Sequence, residues 1–313
     1  MARSSNSVGS MWRHRDVALI LSGGLGCLGV LAALAMIVAG WWGARGVSAW
    51  SWWLGAAGLA LVLASHRQMD SRARHHQAIR NRRACAIRDE VLAGRNPSRP
   101  YFVYLRPFAV DGAFVDAPRG DADARYVEEY GWPTAHHDLE SALALLVYRH
   151  SDLVALSDEP GRAGAGYVPS TELTWQQEIA ALAEFAEGIF MVPFDFAGTA
   201  WEVAMIVDRG WLAKTFLVMP ARPPIAAGRI GRDFAGLWER GRVRYAELGL
   251  PPYDDEGCIL HVGDEVTVYR GFGGHGGLGD SRARRRSLDQ LGARLAELAA
   301  ANATRKGEGR WHE

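Results

Sequence analysis

Two uncharged apolar runs, Val17 to Trp42 and Val47 to Ser65, lie near the start of the chain on either side of Gly43-Ala44-Arg45-Gly46. A bilayer core takes about 20 apolar residues in a helix, so the pattern predicts a transmembrane hairpin of two helices. Trp41, Trp42, Trp50, Trp52 and Trp53 gather at the break, as an aromatic belt at one interface would. Small residues at four-residue spacing (Ser22 and Gly26, Gly29 and Ala33, Ala56, Ala60 and Ala64) favour close helix packing. His66 to Arg99 is then polar, basic and poor in β-branched residues, which predicts a helix ended by Asn96-Pro97-Ser98-Arg99-Pro100.

From Tyr101 the pattern changes to short apolar runs alternating with amphipathic stretches. Strands are predicted over Tyr101–Leu105, Leu153–Leu156, Gly188–Phe194, Thr215–Met219 and Cys258–Val262, the last extended by a hairpin to Val266–Tyr269. Helices are predicted over Leu139–Tyr148 (capped by Asp138), Trp175–Glu187, Gly198–Arg209, Asp233–Leu248 and Arg284–Ala300, with Asp158–Ser170 as a Gly/Pro loop. Continuous rather than alternating apolar strands between helices indicate a parallel sheet covered on both faces. The expected architecture is α/β: residues 1–16 as an N-terminal tail, 17–65 as the membrane hairpin, 66–99 as a basic linker helix, and 100–313 as a flavodoxin-like doubly wound domain.

Charge adds an orientation. Arg3, Arg13 and Arg15 precede the first apolar run, Arg67, Arg72, Arg74, Arg80, Arg82 and Arg83 follow the second, and only Arg45 lies between. The positive-inside rule then gives an integral, multi-pass membrane protein with both termini cytoplasmic. The linker arginines would meet anionic lipid headgroups of the bilayer. With 35 basic and 35 acidic side chains overall, and no aromatic side chains in the linker for base stacking, nucleic acid is not an expected partner. Cys27, Cys85 and Cys258 form no CxxC pair, which points away from zinc knuckles and disulfide frameworks.

The segment Asp195-Phe196-Ala197-Gly198-Thr199-Ala200-Trp201-Glu202 joins the most apolar strand to its helix. In an open α/β sheet, ligands bind beyond the carboxyl ends of the strands, so Arg106, Asp195, Gly198, Thr199, Trp201 and Glu202 are the candidate site. Gly198 would admit a ligand to the backbone, the first-turn N–H groups would hold an anion or hydroxyl, and Trp201 would stack on a planar ring. A carboxylate at Glu202 would stabilise an oxocarbenium ion or attack a glycosidic carbon. The structural alternative stays open, because Thr199-x-x-Glu202 also fits a capping box in which Glu202 returns to the Thr199 amide.

The order of these elements, with Glu202 in the helix after the third predicted strand and Asp158-Glu159-Pro160-Gly161 after the second, resembles the Toll/interleukin-1 receptor (TIR) domain. Gly198-Thr199-x-x-Glu202-Val203 is also similar to nucleoside deoxyribosyltransferases, a related fold. Both resemblances imply N-glycosidic chemistry at Glu202. The TIR resemblance implies NAD as a substrate, with no resident cofactor. The competing class is a non-catalytic signalling or scaffold module that self-associates, with Asp158–Ser170 as its contact.

Other signals have structural explanations. His136-His137-Asp138-x-Glu140 suggests a metal, but a helix start accounts for Asp138, and no metal site is expected. Gly24 to Gly29 and Gly271 to Gly279 both contain G-x-G-x-x-G. The first lies inside an apolar run, and the second is too glycine-rich for one tight turn. His150 and His261 are expected to be structural.

Overall fold

The computed structural model describes residues 49–105, 139–147, 151–157, 164–222, 233–263, 266–270 and 289–300. The chain divides into two compact units, Met1–His76 with Asp123–Pro133, and Gln77–Ala122 with Thr134–Glu313.

The described part of the first unit belongs to α1 (Ala49–Leu92), a helix of 44 residues. Here the predicted membrane hairpin and its integral-membrane localisation need correction. Among the described residues, no helix is long and apolar enough to cross a membrane. The described part of the predicted second span is Ala49 to Ser65, within α1. His66 and Arg67 follow at once, and Trp50, Trp52 and Trp53 dilute its hydropathy. The first run, Val17 to Trp42, lies outside the described residues.

The second unit is built on a sheet of seven strands: β1 (Tyr101–Leu105), β2 (Asp152–Ser157), β3 (Gly166–Pro169), β4 (Gly188–Met191), β5 (Thr215–Met219), β6 (Cys258–Val262) and β7 (Val266–Arg270). Their order is β3-β2-β1-β4-β5-β6-β7. The first five are mutually parallel, with Val103 opposite both Val154 and Ile189. β6 and β7 run antiparallel and form the anticipated hairpin. The domain is therefore α/β with a mostly parallel sheet, and it differs from the predicted fully parallel one at this edge. Helices α2 (Leu139–Val147), α3 (Trp175–Phe185), α4 (Ala197–Asp208) and α5 (Phe234–Arg244) intervene between strands, and α6 covers residues 289–300.

Every residue of β1, β4 and β5 is buried, which is why their sequences are continuous apolar runs. A row of rings crosses the sheet: Phe102 to Phe190 at 5.7 Å, Phe190 to Phe216 at 5.1 Å, and Phe216 stacked on His261 at 4.6 Å. Gly188 makes the row possible, because a Cβ there would lie 2.7 Å from the Phe102 ring. Burial lowers the His261 pKa, and its Nε2 sits 2.9 Å from the Ala213 carbonyl oxygen. This neutral structural histidine agrees with the expectation for His261. Lys214 fastens α3 to the sheet by donating to the carbonyls of Ala183, Glu184 and Ala186 at 2.7, 3.0 and 3.2 Å, a cation at a helix C-terminus.

β3 is a strand where a loop was predicted. Its outer edge is satisfied by side chains from α1. Gln77 Nε2 donates to the Ala165 carbonyl at 2.7 Å, Asn81 Oδ1 accepts from Tyr167 N–H at 3.0 Å, and Arg88 donates to the Pro169 carbonyl at 3.4 Å. Gln77, Asn81 and Arg88 share one helix face, and residues 165, 167 and 169 share one strand edge. The helix comes close enough that a Cβ at Gly166 would meet the Arg80 carbonyl oxygen at 2.7 Å. Sheet edges left open invite pairing with other chains, and this face of α1 takes the place of a neighbouring strand. α1 then stops at Gly94, with φ of +69°. There the Gly94 N–H donates to Val91 and the Arg95 N–H to Glu90, both at 2.9 Å, the Schellman pattern. Asn81→Ala should orphan the Tyr167 N–H and lower stability by about 1–3 kcal/mol. A urea midpoint indistinguishable from wild type would show that the edge does not depend on this bond.

Candidate functional site

β1 lies between β2 and β4, so the chain reverses its direction of travel across the sheet at β1 and β4. Crevices at such switch points, beyond the strands' carboxyl ends, are where open α/β sheets bind ligands. The segment after β4, residues 192–196, borders this position. It is tightly folded: Phe194 N–H donates to Val192 at 2.8 Å and Phe196 N–H to Phe194 at 2.9 Å. α4 then begins at Ala197 with Phe196 as its N-cap and no side-chain capping bond.

That start excludes the capping box. Thr199 is the third helical residue rather than the cap, and it is buried. Glu202 lies on the buried face of α4 at 5 % exposure. It has no hydrogen-bond or ion-pair partner among the described residues. Burial alone pushes its pKa up to about 8. A carboxyl poised near neutrality can give or take a proton at working pH, and such groups concentrate in active sites.

Asp195 stands at the rim of this region, part-exposed, with Oδ1 bound to Arg244 Nη1. The next residue, Tyr245, is buried and donates its hydroxyl to the Phe194 carbonyl at 3.3 Å. Burial raises the Tyr245 pKa, Arg244 lowers it, and Asp195 and Glu202 add to the rise, so both carboxyls lie in the phenol's neighbourhood. Trp201 packs edge to face on Trp175, with ring centroids 5.1 Å apart. Gly198 is exposed, and a Cβ there would meet only the Trp175 ring edge at 4.0 Å.

The structure thus brings Asp195, Gly198, Thr199, Trp201 and Glu202 onto one loop and one helix start. Arg106, Asp158 to Gly161, His136 to Asp138, His150 and the glycine-rich segment 271–279 lie outside the described residues. Sequence reasoning missed Arg244, Tyr245 and Trp175. None has a local motif, and two of them come from a helix more than forty residues further on. No family model, curated protein or solved structure matches the chain. What fold and site define is a class: an α/β domain carrying a buried, unpartnered carboxyl beside the switch point of its sheet.

Proposed function

We propose that this α/β domain is flavodoxin-like and TIR-like in its core, and that it cleaves the N-glycosidic bond of NAD or a related nucleotide with Glu202 as the catalytic carboxyl. The observation that carries this reading is the state of Glu202: buried beside the switch point of the sheet, without a partner among the described residues, and not used as a helix cap. With β3 set aside, the parallel strands run β2-β1-β4-β5, the order expected of that fold.

In the proposed step the C1′–N bond breaks and its electron pair leaves on the ring nitrogen, which turns a pyridinium into neutral nicotinamide. The Glu202 carboxylate stabilises the developing oxocarbenium ion or bonds to C1′, and water completes the hydrolysis. Glu202 must be ionised to do this. The positive charge of the bound ring favours ionisation, since an opposite charge nearby lowers a carboxyl pKa. Asp195 and the first N–H groups of α4 contact the sugar and its substituents, and Trp201 with Trp175 forms an apolar wall.

The test is nicotinamide release from NAD by the full chain, followed by chromatography. Glu202→Gln is expected to reduce it at least 100-fold, in the range typical of a lost catalytic carboxyl. Release by wild type should rise with pH as Glu202 ionises. No release by a folded wild-type protein that also fails to bind NAD would overturn the enzyme reading and leave a non-catalytic, self-associating module.

A further inference from the structure

The last turn of α5 grips the loop that leads to Glu202 at three consecutive residues. Gly241 passes so close that a Cβ there would lie 2.0 Å from the Pro193 carbonyl oxygen. Tyr245 donates to the Phe194 carbonyl at 3.3 Å, and Arg244 holds the Asp195 carboxylate. Positions 241, 244 and 245 fall on one helix face, so these are one packing surface rather than three separate contacts. Elsewhere the helix is anchored independently of the loop: Trp238 Nε1 donates to the Pro251 carbonyl at 2.9 Å, and Glu239 Oε1 accepts from Tyr253 N–H at 3.0 Å.

The Asp195 pairing leaves something over. Arg244 uses Oδ1, while Oδ2 accepts no hydrogen bond among the described residues. An ionised carboxylate is acceptor-only, with room for several donors. Asp195 is part-exposed, with 28 % of its side chain accessible, so its free oxygen is available to a ligand. Arg244 holds Oδ1 by a single charge-assisted hydrogen bond from Nη1, from a guanidinium that keeps its charge at any working pH. It also stacks over the neighbouring Tyr245 ring at 5.8 Å, which limits its own freedom.

We propose that Arg244 is a positioning residue that presents Oδ2 of Asp195 to a hydroxyl of the ligand's sugar, with α5 serving as the fixed support. This rests on the N-glycosidase reading for the identity of the ligand, but not for the geometry. The ligand is thereby one that carries a free sugar hydroxyl beside the scissile bond. Arg244 itself touches no reacting atom.

Two measurements on the full-length protein test this. The first needs no ligand. In Arg244→Gln, amide hydrogen exchange at Phe196 and Ala200 should accelerate at least tenfold while exchange in β1 and β5 stays unchanged. Equal exchange in variant and wild type overturns the positioning role whatever the protein does catalytically. The second uses NAD as the probe. Arg244→Gln and Asp195→Asn should each raise KM about tenfold, the size expected for losing one charge-assisted hydrogen bond. Values of kcat should stay within threefold, and the double variant should cost no more than either single one. Arg244→Lys should recover only part of the loss. Additive losses, or a fall in kcat with KM unchanged, would refute the route through Asp195. A loop that loosens in a wild-type background unable to bind NAD would instead remove the ligand assignment together with the glycosidase reading.

Discussion

Gly241→Ala is expected to destabilise the domain by about 2 kcal/mol or more, although alanine is the better helix former. At an open helical position the same exchange stabilises by about 1 kcal/mol, because glycine loses more backbone freedom on folding. Here the added methyl would stand 2.0 Å from the Pro193 carbonyl oxygen, 3.2 Å from its carbon and 3.5 Å from the Phe194 Cα, all of them backbone atoms. No side chain can swing away, so α5 or the 192–196 loop must move, and inserting atoms into a packed contact typically costs about 1–3 kcal/mol, occasionally more. The movement would also loosen the Tyr245 and Arg244 contacts one turn on. Gly292 in α6 supplies the control, since a Cβ there meets nothing within 4 Å. Gly292→Ala should stabilise by about 1 kcal/mol. Urea unfolding of the two variants should therefore shift in opposite directions. A Gly241→Ala protein at least as stable as wild type would mean that α5 does not approach the loop so closely.

Glu202→Gln should change how stability depends on pH, whatever the domain catalyses. In the folded protein Glu202 keeps its proton up to about pH 8, whereas its ordinary value is 4.5. Between those values the folded state holds a proton that the unfolded chain has released. Stability from this group is therefore complete below the lower value and is lost as pH rises through the upper one. At about 1.4 kcal/mol per pH unit, the loss reaches roughly 4–5 kcal/mol as an upper bound, since partial hydration of the site reduces it. Glutamine neither binds nor releases a proton here. The variant should match the wild type near pH 5 and exceed it increasingly toward pH 9. Because Lys214 titrates in both proteins, taking the difference between the two curves cancels its contribution. Parallel curves would mean that Glu202 is ionised in the folded state, through solvent or a partner.

This proton is also what ties stability to the proposed chemistry. A site that holds a carboxyl neutral stores a preference for any ligand that ionises it. NAD binding to wild type should thus be accompanied by proton release near pH 7, with Glu202→Gln releasing none.

The apolar rhythm alone located β1, β2, β4, β5 and β6 and the helices between them, because strands buried on both faces must be written as continuous apolar runs. The same rhythm says nothing of strand direction, so the antiparallel pairing of β6 with β5 was not legible, although the β6–β7 hairpin was. β3 was hidden in a Gly/Pro-rich stretch. Gly-Tyr-Val-Pro becomes an edge strand because Gln77 and Asn81 stand beside it, more than eighty residues earlier in the chain. The apolar character of Ala49 to Ser65 was plain in the sequence, yet composition does not by itself make a span. Among the described residues no helix is long and apolar enough to cross a membrane.

Glu202 could be singled out from its place after the most apolar strand, but whether it caps its helix or stands alone depends on where the helix begins. Thr199 and Phe196 compete for that role, and propensity favours the threonine. The loop held by α5 starts the helix at Ala197 instead, which buries Thr199 and deprives Glu202 of the amide it would have reached. Periodicity is a local property, so the residue sequence by itself determined the elements other than β3, the α/β class and the position of the acidic residue. Burial, charge state and the grip of Gly241, Arg244 and Tyr245 on residues 193–195 arise from contacts between segments distant in the chain. Only the tertiary structure could decide them, because a carboxyl's pKa depends on the water and partners that the fold leaves around it.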